Sequence, residues 1–291
     1  ERTQTRTPRT KKTRMLSIFS ENQSAHAPLR ELNNGDWMDF AESPARLRSI
    51  LDKIPTPKVP EDHGMEPILA VHDAAYVDFL QSAHKEWLDQ GREGDAIGYA
   101  FPVRGRRALN HDRIDARLGQ YGFDAASPIS AGTYHSAYWA VQSALSALDA
   151  IIAGQTKHAF ALCRPPGHHS GRDYFGGYCY LNNAAIAARA AEAAGLGPVA
   201  ILDVDYHHGN GTQDIFYEDG GVVFASIHAD PKSDYPYFWG HADETGAGEG
   251  EGATFNQPLP QGTTWETYAP ALNEALERIT AFGAKSLIVR Y

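Results

Sequence analysis

Apolar and polar positions follow two different periods along this chain. Short stretches at Ala159–Cys163, Val199–Asp203, Val222–Ile227 and Ser286–Val289 are almost continuously apolar and too brief for buried helices. Such runs read as strands covered on both faces. Between them lie longer stretches of helical period: Thr133–Ala153, closed by Gly154, and Asn183–Ala194, closed by Gly195. A third helix opens at Thr263-Thr264-Trp265-Glu266, a capping-box pattern, and runs to near Gly283. Towards the start, Met15–Phe19 predicts a first strand and Pro44–Lys53 a helix ending before the proline-rich Pro55–Pro60. Pro67–Val71 predicts a short strand, and Asp73–Gln90 a helix capped by Asp73. Glu21–Asp36 is polar and loop-like, whereas Gly91–Ser130 is long, rich in Gly and Arg, and without clear period. Loops of that length inside a compact domain are usually functional. Alternating apolar strands and helices imply an α/β fold with a parallel sheet between helical layers. No internal repeat is evident.

Two of the apolar runs end in chemistry. Asp203-Val204-Asp205-Tyr206-His207-His208-Gly209-Asn210-Gly211 follows the run Pro198–Leu202. In an open α/β sheet, ligands bind beyond the carboxyl ends of the strands. Alternate residues of a strand share a face, so Asp203, Asp205 and His207 gather together. Burying several ionisable groups at one place calls for a cation. Asp205 and His207 offer oxygen and imidazole nitrogen at a spacing suited to one metal: zinc first, with iron(II) and cobalt(II) also suited to such mixed donors. The second stretch, Arg164-Pro165-Pro166-Gly167-His168-His169-Ser170-Gly171, follows Ala159–Cys163. Its prolines stop the strand and Gly167 lets the chain turn, which leaves His168 and His169 facing a cleft. The combination points to metal-assisted hydrolysis, with metal-bound water as nucleophile and histidine as general base and acid.

Composition narrows the partners. The 291 residues carry a net charge of −10, but residues 1–14 hold six Arg or Lys and one Glu. The body therefore stands at −15, with 20 basic against 35 acidic residues. An acidic body repels nucleic acid and favours a cationic small substrate. No apolar run approaches bilayer length, so no membrane partner is expected. Two cysteines, Cys163 and Cys179, make no disulfide framework and suit a reducing cytoplasm, where they read as packing residues. Residues 1–14 lack an apolar core for a secretory signal and read as a disordered basic extension; a single domain is expected over 15–291.

The segments Cys163–Asn183 and Ile201–Phe216 together resemble the histone deacetylase superfamily of arginase-like amidohydrolases. Phe19-Ser20-Glu21, Phe175-Gly176-Gly177-Tyr178-Cys179 and Gly211–Glu218 resemble most its bacterial acetylpolyamine amidohydrolase branch. The resemblance implies a three-layer arginase/deacetylase-like fold and removal of acetyl groups from acetylated polyamines. Acetyl-lysine protein deacetylation is the alternative within the same chemistry. It also implies that Asp203 orients His168 and Asn210 orients His169, making His169 the base and His168 mainly an electrostatic partner. A structural potassium ion would be held by Asp203, Ser226 and the backbone carbonyls of Asp205, His207 and Ile227. Tyr178 and Tyr235 would line a substrate tunnel, with Glu31 and Asp115 near its mouth to meet ammonium groups. The Gly91–Ser130 insertion would narrow the entrance and build a homodimer.

The chain departs from the family pattern at its end. Members continue through Ser-x-Gly-x-Asp to a third metal ligand, and later supply a tyrosine that polarises the scissile carbonyl. Here Arg290 stands where the serine would be, and the chain ends at Tyr291. The expectation is a domain lacking its C-terminal part, weakly active as written, with a non-catalytic pseudoenzyme as the further alternative.

Overall fold

The computed structural model describes residues 15–54, 57–103 and 111–291. The basic extension 1–14, part of the proline-rich segment and part of the 91–130 insertion lie outside the described residues. The first half runs β1 (Leu16–Ile18), β2 (Arg30–Asn33), β3 (Asp36–Asp39), α1 (Pro44–Leu51), α2 (Glu66–Leu69), α3 (Ala74–Asp89), α4 (Ile114–Tyr121) and α5 (Thr133–Ile152). The second half runs β4 (Ala159–Ala161), α6 (Asn183–Ala193), β5 (Val199–Asp203), α7 (Asn210–Phe216), β6 (Val222–Ala229), β7 (Thr254–Leu259), α8 (Trp265–Phe282) and β8 (Ser286–Arg290).

Four strands form one parallel sheet in the order β7-β6-β5-β8. β1 and β4 pair in parallel separately. The period-2 geometry of β5 and β6 explains their unbroken apolar runs, because each face meets a different layer. Val199, Ile201, Val222 and Phe224 join one core with residues of α3, α5 and α6. Ala200, Leu202, Val223, Ala225 and Ile227 join a second core with Ala271, Ala275 and Ile279 of α8. Each such large aliphatic or aromatic side chain contributes about 1.5–3 kcal/mol by leaving water. Helices on both faces of a parallel sheet make the predicted three-layer α/β architecture.

Four expectations need correction. Pro67–Val71 is not a strand: Pro67 lies in the first turn of the short helix α2, where its fixed φ and missing N–H cost nothing. The polar stretch Glu21–Asp36 is not all loop, since Glu21–Ala25 is a 3-10 turn and β2 pairs antiparallel with β3. Asn34 and Gly35, at φ 51° and 91°, close that hairpin as the two positive-φ residues such a turn requires. The 91–130 stretch contains α4, which buries Ile114 and Leu118, one helical turn apart. β7 was absent from the expected elements, and it completes the sheet beside β6.

Candidate active site

β5 and the run through β4 end at the same edge of the protein. Arg164 anchors the turn that follows β4: its buried guanidinium bonds Glu42 and the backbone carbonyls of Gln23 and Glu42. Beyond the turn, the His168 and His169 rings lie 4.0 Å apart between centroids, and each Nδ1 is already engaged. His168 Nδ1 meets Asp203 Oδ2 at 2.8 Å, and His169 Nδ1 meets Asn210 Oδ1 at 2.6 Å. Both partners accept, so each Nδ1 carries the proton and each Nε2 is left as the working nitrogen. Backbone space is as constrained as the side chains. A Cβ on Gly209 would stand 2.5 Å from Asp203 Oδ2, and one on Gly177 would stand 2.1 Å from His169 Cδ2.

Asp205 and His207 sit beside this pair. Asp205 Oδ1 is 4.0 Å from His168 Nε2 and 3.7 Å from His207 Nδ1, and the His207 ring is 6.1 Å from that of His169. The two donors supply the oxygen and nitrogen expected of a shared metal site. They do not complete one: no group of three or more His, Cys, Asp or Glu able to hold a metal occurs among the described residues. In addition, the Arg290 guanidinium bonds Asp205 Oδ2.

Charge follows from this packing. Burial, and then the neighbouring His168, hold the His169 imidazole well below its ordinary pKa, despite the opposing bond to Asn210. His169 is therefore a neutral imidazole. Burial pushes the Asp205 carboxyl up, but the bond from His207 and the charges of His168 and Arg290 outweigh it and keep it far below the usual carboxylate range. Both cysteines are free; burial raises the Cys163 thiol to about 12 and Cys179 further, so both are inert packing groups.

The remaining sequence candidates fall in different places. Tyr235 lies in the site, its ring 5.1 Å from His169 and 5.7 Å from His207 in edge-on contacts. Tyr178 holds a positive φ of 65°, packs on Phe40, and donates its hydroxyl to Glu31 Oε1 at 2.9 Å. Glu31 is buried, and its other oxygen accepts from the Ala41 amide. Asp115, on α4, is paired with Arg92 and Arg113. Asp203 and Ser226 lie at one level of the sheet, as register partners of β5 and β6, and Ser226 Oγ is 2.8 Å from His228 Nδ1. Ile227 follows in β6, on the face packed against α8.

Sequence reasoning missed Phe123 and Asp124. Phe123 stacks on Tyr235 at 5.9 Å, and Asp124 Oδ2 accepts from the Tyr235 hydroxyl and the Gly177 amide, each at 2.7 Å. Both lie in the aperiodic 91–130 stretch, where nothing local marks them. Also missed was Tyr174, whose hydroxyl receives a bond from Asn210 Nδ2 at 3.4 Å and donates to Asp214 at 2.6 Å.

A histone deacetylase domain matches residues 40–290. Acetylpolyamine amidohydrolase 2 of Pseudomonas aeruginosa is 48% identical over 280 residues, covering 94% of this chain and 81% of that protein. The acetylpolyamine amidohydrolase of Mycoplana ramosa is 45% identical, covering 94% of this chain and 82% of its own length. The crystal structure of the acetylpolyamine aminohydrolase from Burkholderia pseudomallei superimposes with a TM-score of 0.88 at 39% identity, over 95% of this chain and 81% of that one. The chain belongs to the histone deacetylase family.

Proposed function

We propose that this protein hydrolyses the acetamide of acetylated polyamines, releasing acetate and a free primary amine. The carrying observation is the pair of Nδ1-anchored histidines, His168 on Asp203 and His169 on Asn210, facing Asp205 and His207. The family is metal-dependent, and Asp205 and His207 would hold the metal in this chain. Zinc is the first choice; iron(II) and cobalt(II) suit the same donors. When bound, such a metal supplies a Lewis acid at the scissile carbonyl.

The protein's own groups carry the protons. Neutral His169 accepts a proton from the attacking water as the C–O bond forms. His168, held by the Asp203 carboxylate, stabilises the positive charge that develops on its neighbour. The amine nitrogen takes that proton back from the His169 imidazolium as its bond to carbon breaks, leaving acetate and the free amine. Asn210 gives His169 a neutral acceptor where a carboxylate would raise its basicity further. Tyr235, Phe123 and Tyr178 would flank the substrate chain. Glu31, bonded to Tyr178 and the Ala41 amide, and Asp115, paired with Arg92 and Arg113, would have to exchange those partners to meet its distal ammonium groups.

Potassium at Asp203, Ser226 and the carbonyls of Asp205, His207 and Ile227, a homodimer built through residues 91–130, and a reducing cytoplasmic setting complete this reading. No described helix is long and apolar enough to cross a membrane. Competition between an acetylated diamine and an acetyl-lysine peptide in one reaction tests the substrate class. Preferential consumption of the diamine supports the proposal, and preferential consumption of the peptide transfers the function to protein deacetylation.

A further inference from the structure

The Arg290 guanidinium is a feature of the site that hydrolysis does not call for. Its backbone is fixed: Arg290 is the register partner of Asp203 across β5 and β8, and its carbonyl accepts from the Val204 amide at 2.9 Å. The side chain shares its strand face with Ile288, which packs on the main core, while Leu287 and Val289 face the other way. Arg290 therefore reaches the carboxylates from beneath, largely shielded, with 14% of its side chain exposed. Its Nη1 bonds Asp205 Oδ2 and stands 3.9 Å from Asp203 Oδ1.

All the strong acceptors at this point are thereby engaged. Asp203 Oδ2 accepts a hydrogen bond from His168 Nδ1, and Oδ1 accepts one from the Asp205 amide. Asp205 Oδ1 takes the His207 amide, and Asp205 Oδ2 takes Arg290. Two adjacent carboxylates, one of them 1% exposed, require a cation, and the chain supplies its own. A divalent metal approaching Asp205 meets a guanidinium already bound to the same carboxylate, with like charge opposing like charge.

On the reading of Asp205 and His207 as metal ligands, we infer that Arg290 is a built-in cation that competes with the metal for Asp205. Metal binding and the hold of the guanidinium on Asp205 then oppose each other. An arginine that merely oriented Asp205 for the metal would act in the opposite sense, because removing a supporting partner weakens a site.

Cobalt(II) affinity, measured by visible absorption in competition with a chelator, separates the two. The protein is compared with Arg290→Ser and Arg290→Gln; the glutamine keeps much of the stem and a donor but not the charge, which guards against a variant that fails to fold. The inference expects both substitutions to tighten cobalt binding by ~10–100-fold, the range over which groups contacting a ligand shift metal affinity. Equal or weaker binding in the folded variants overturns it while leaving the metal site intact. Absence of cobalt binding in all three proteins overturns it together with the metal reading on which it rests.

Discussion

Replacing His72 with glutamine should remove a specific part of the protein's acid sensitivity. His72 is 2% exposed, and its Nε2 accepts a hydrogen bond from the Asn182 amide at 2.9 Å. Asn182 in turn caps α6 and bonds the Ser170 carbonyl, directly after His168 and His169. Protonating His72 would set a donor against a donor at that amide, and burial already holds the imidazole down at about 4 against an ordinary 6.5. The sign follows from linkage. The folded pKa lies below the unfolded one, so between the two the unfolded chain binds the extra proton. The stabilisation is therefore fully present above 6.5 and is lost as pH falls towards 4. The full span of 6.5 to about 4 corresponds to roughly 3 kcal/mol. About 2 kcal/mol of that should be gone by about pH 5. Glutamine keeps an acceptor for the Asn182 amide but does not titrate. Urea unfolding of both proteins at about pH 7.5 and about pH 5 gives the double difference, in which the other buried histidines cancel. The parent should lose about 2 kcal/mol more than His72→Gln on acidification. Equal losses would refute the buried, neutral state of this histidine.

Three further outcomes are expected. Gly177→Ala places a Cβ 2.1 Å from His169 Cδ2 at a φ of 54°, so kcat should fall ~100-fold with little change in KM, as measured by initial rates. His169→Ala should lower kcat by ~10²–10⁴-fold and His168→Ala by less; equal losses would contradict the division between base and electrostatic partner. Phe224→Ala, at a position with 0% exposure in the sheet core, should cost about 3–5 kcal/mol in urea unfolding, whereas Leu276→Ala on the exposed side of α8 should cost far less.

Legibility in the sequence depended on whether residues obeyed their local environment. β5 and β6 were legible because both of their faces are covered, which forces unbroken apolar runs at Val199–Leu202 and Val222–Ala225. Each chemical motif directly follows such a run, so the gathering of both motifs at one edge could be read without coordinates, whereas the pairing of His168 with Asp203 came from the family resemblance. The β2–β3 hairpin was hidden because it inverts the usual pattern. Glu31 is buried while Trp37 and Met38 are 56% and 52% exposed, which leaves Asn34-Gly35 as the sole local signal. β7 was hidden likewise, since it buries the polar Thr254 and Asn256, the latter satisfied by His208 and Gln213. Asp124 and Phe123 owe their roles entirely to contacts with Tyr235 and Gly177, more than fifty residues away in sequence. The Arg290–Asp205 pair depends on strand register, which the apolar pattern of β8 alone does not specify.

The central claim is that His168, His169, Asp205 and His207 form the working half of an acetamide-hydrolysing centre. Its most direct test is acetate release from an acetylated diamine by protein first stripped with chelator and then titrated with zinc or cobalt. Turnover that is absent in the stripped protein, rises to a plateau at one metal per chain, and disappears in His169→Ala is the predicted result. No acetate at any metal loading, or turnover indifferent to chelator and to His169, would contradict it.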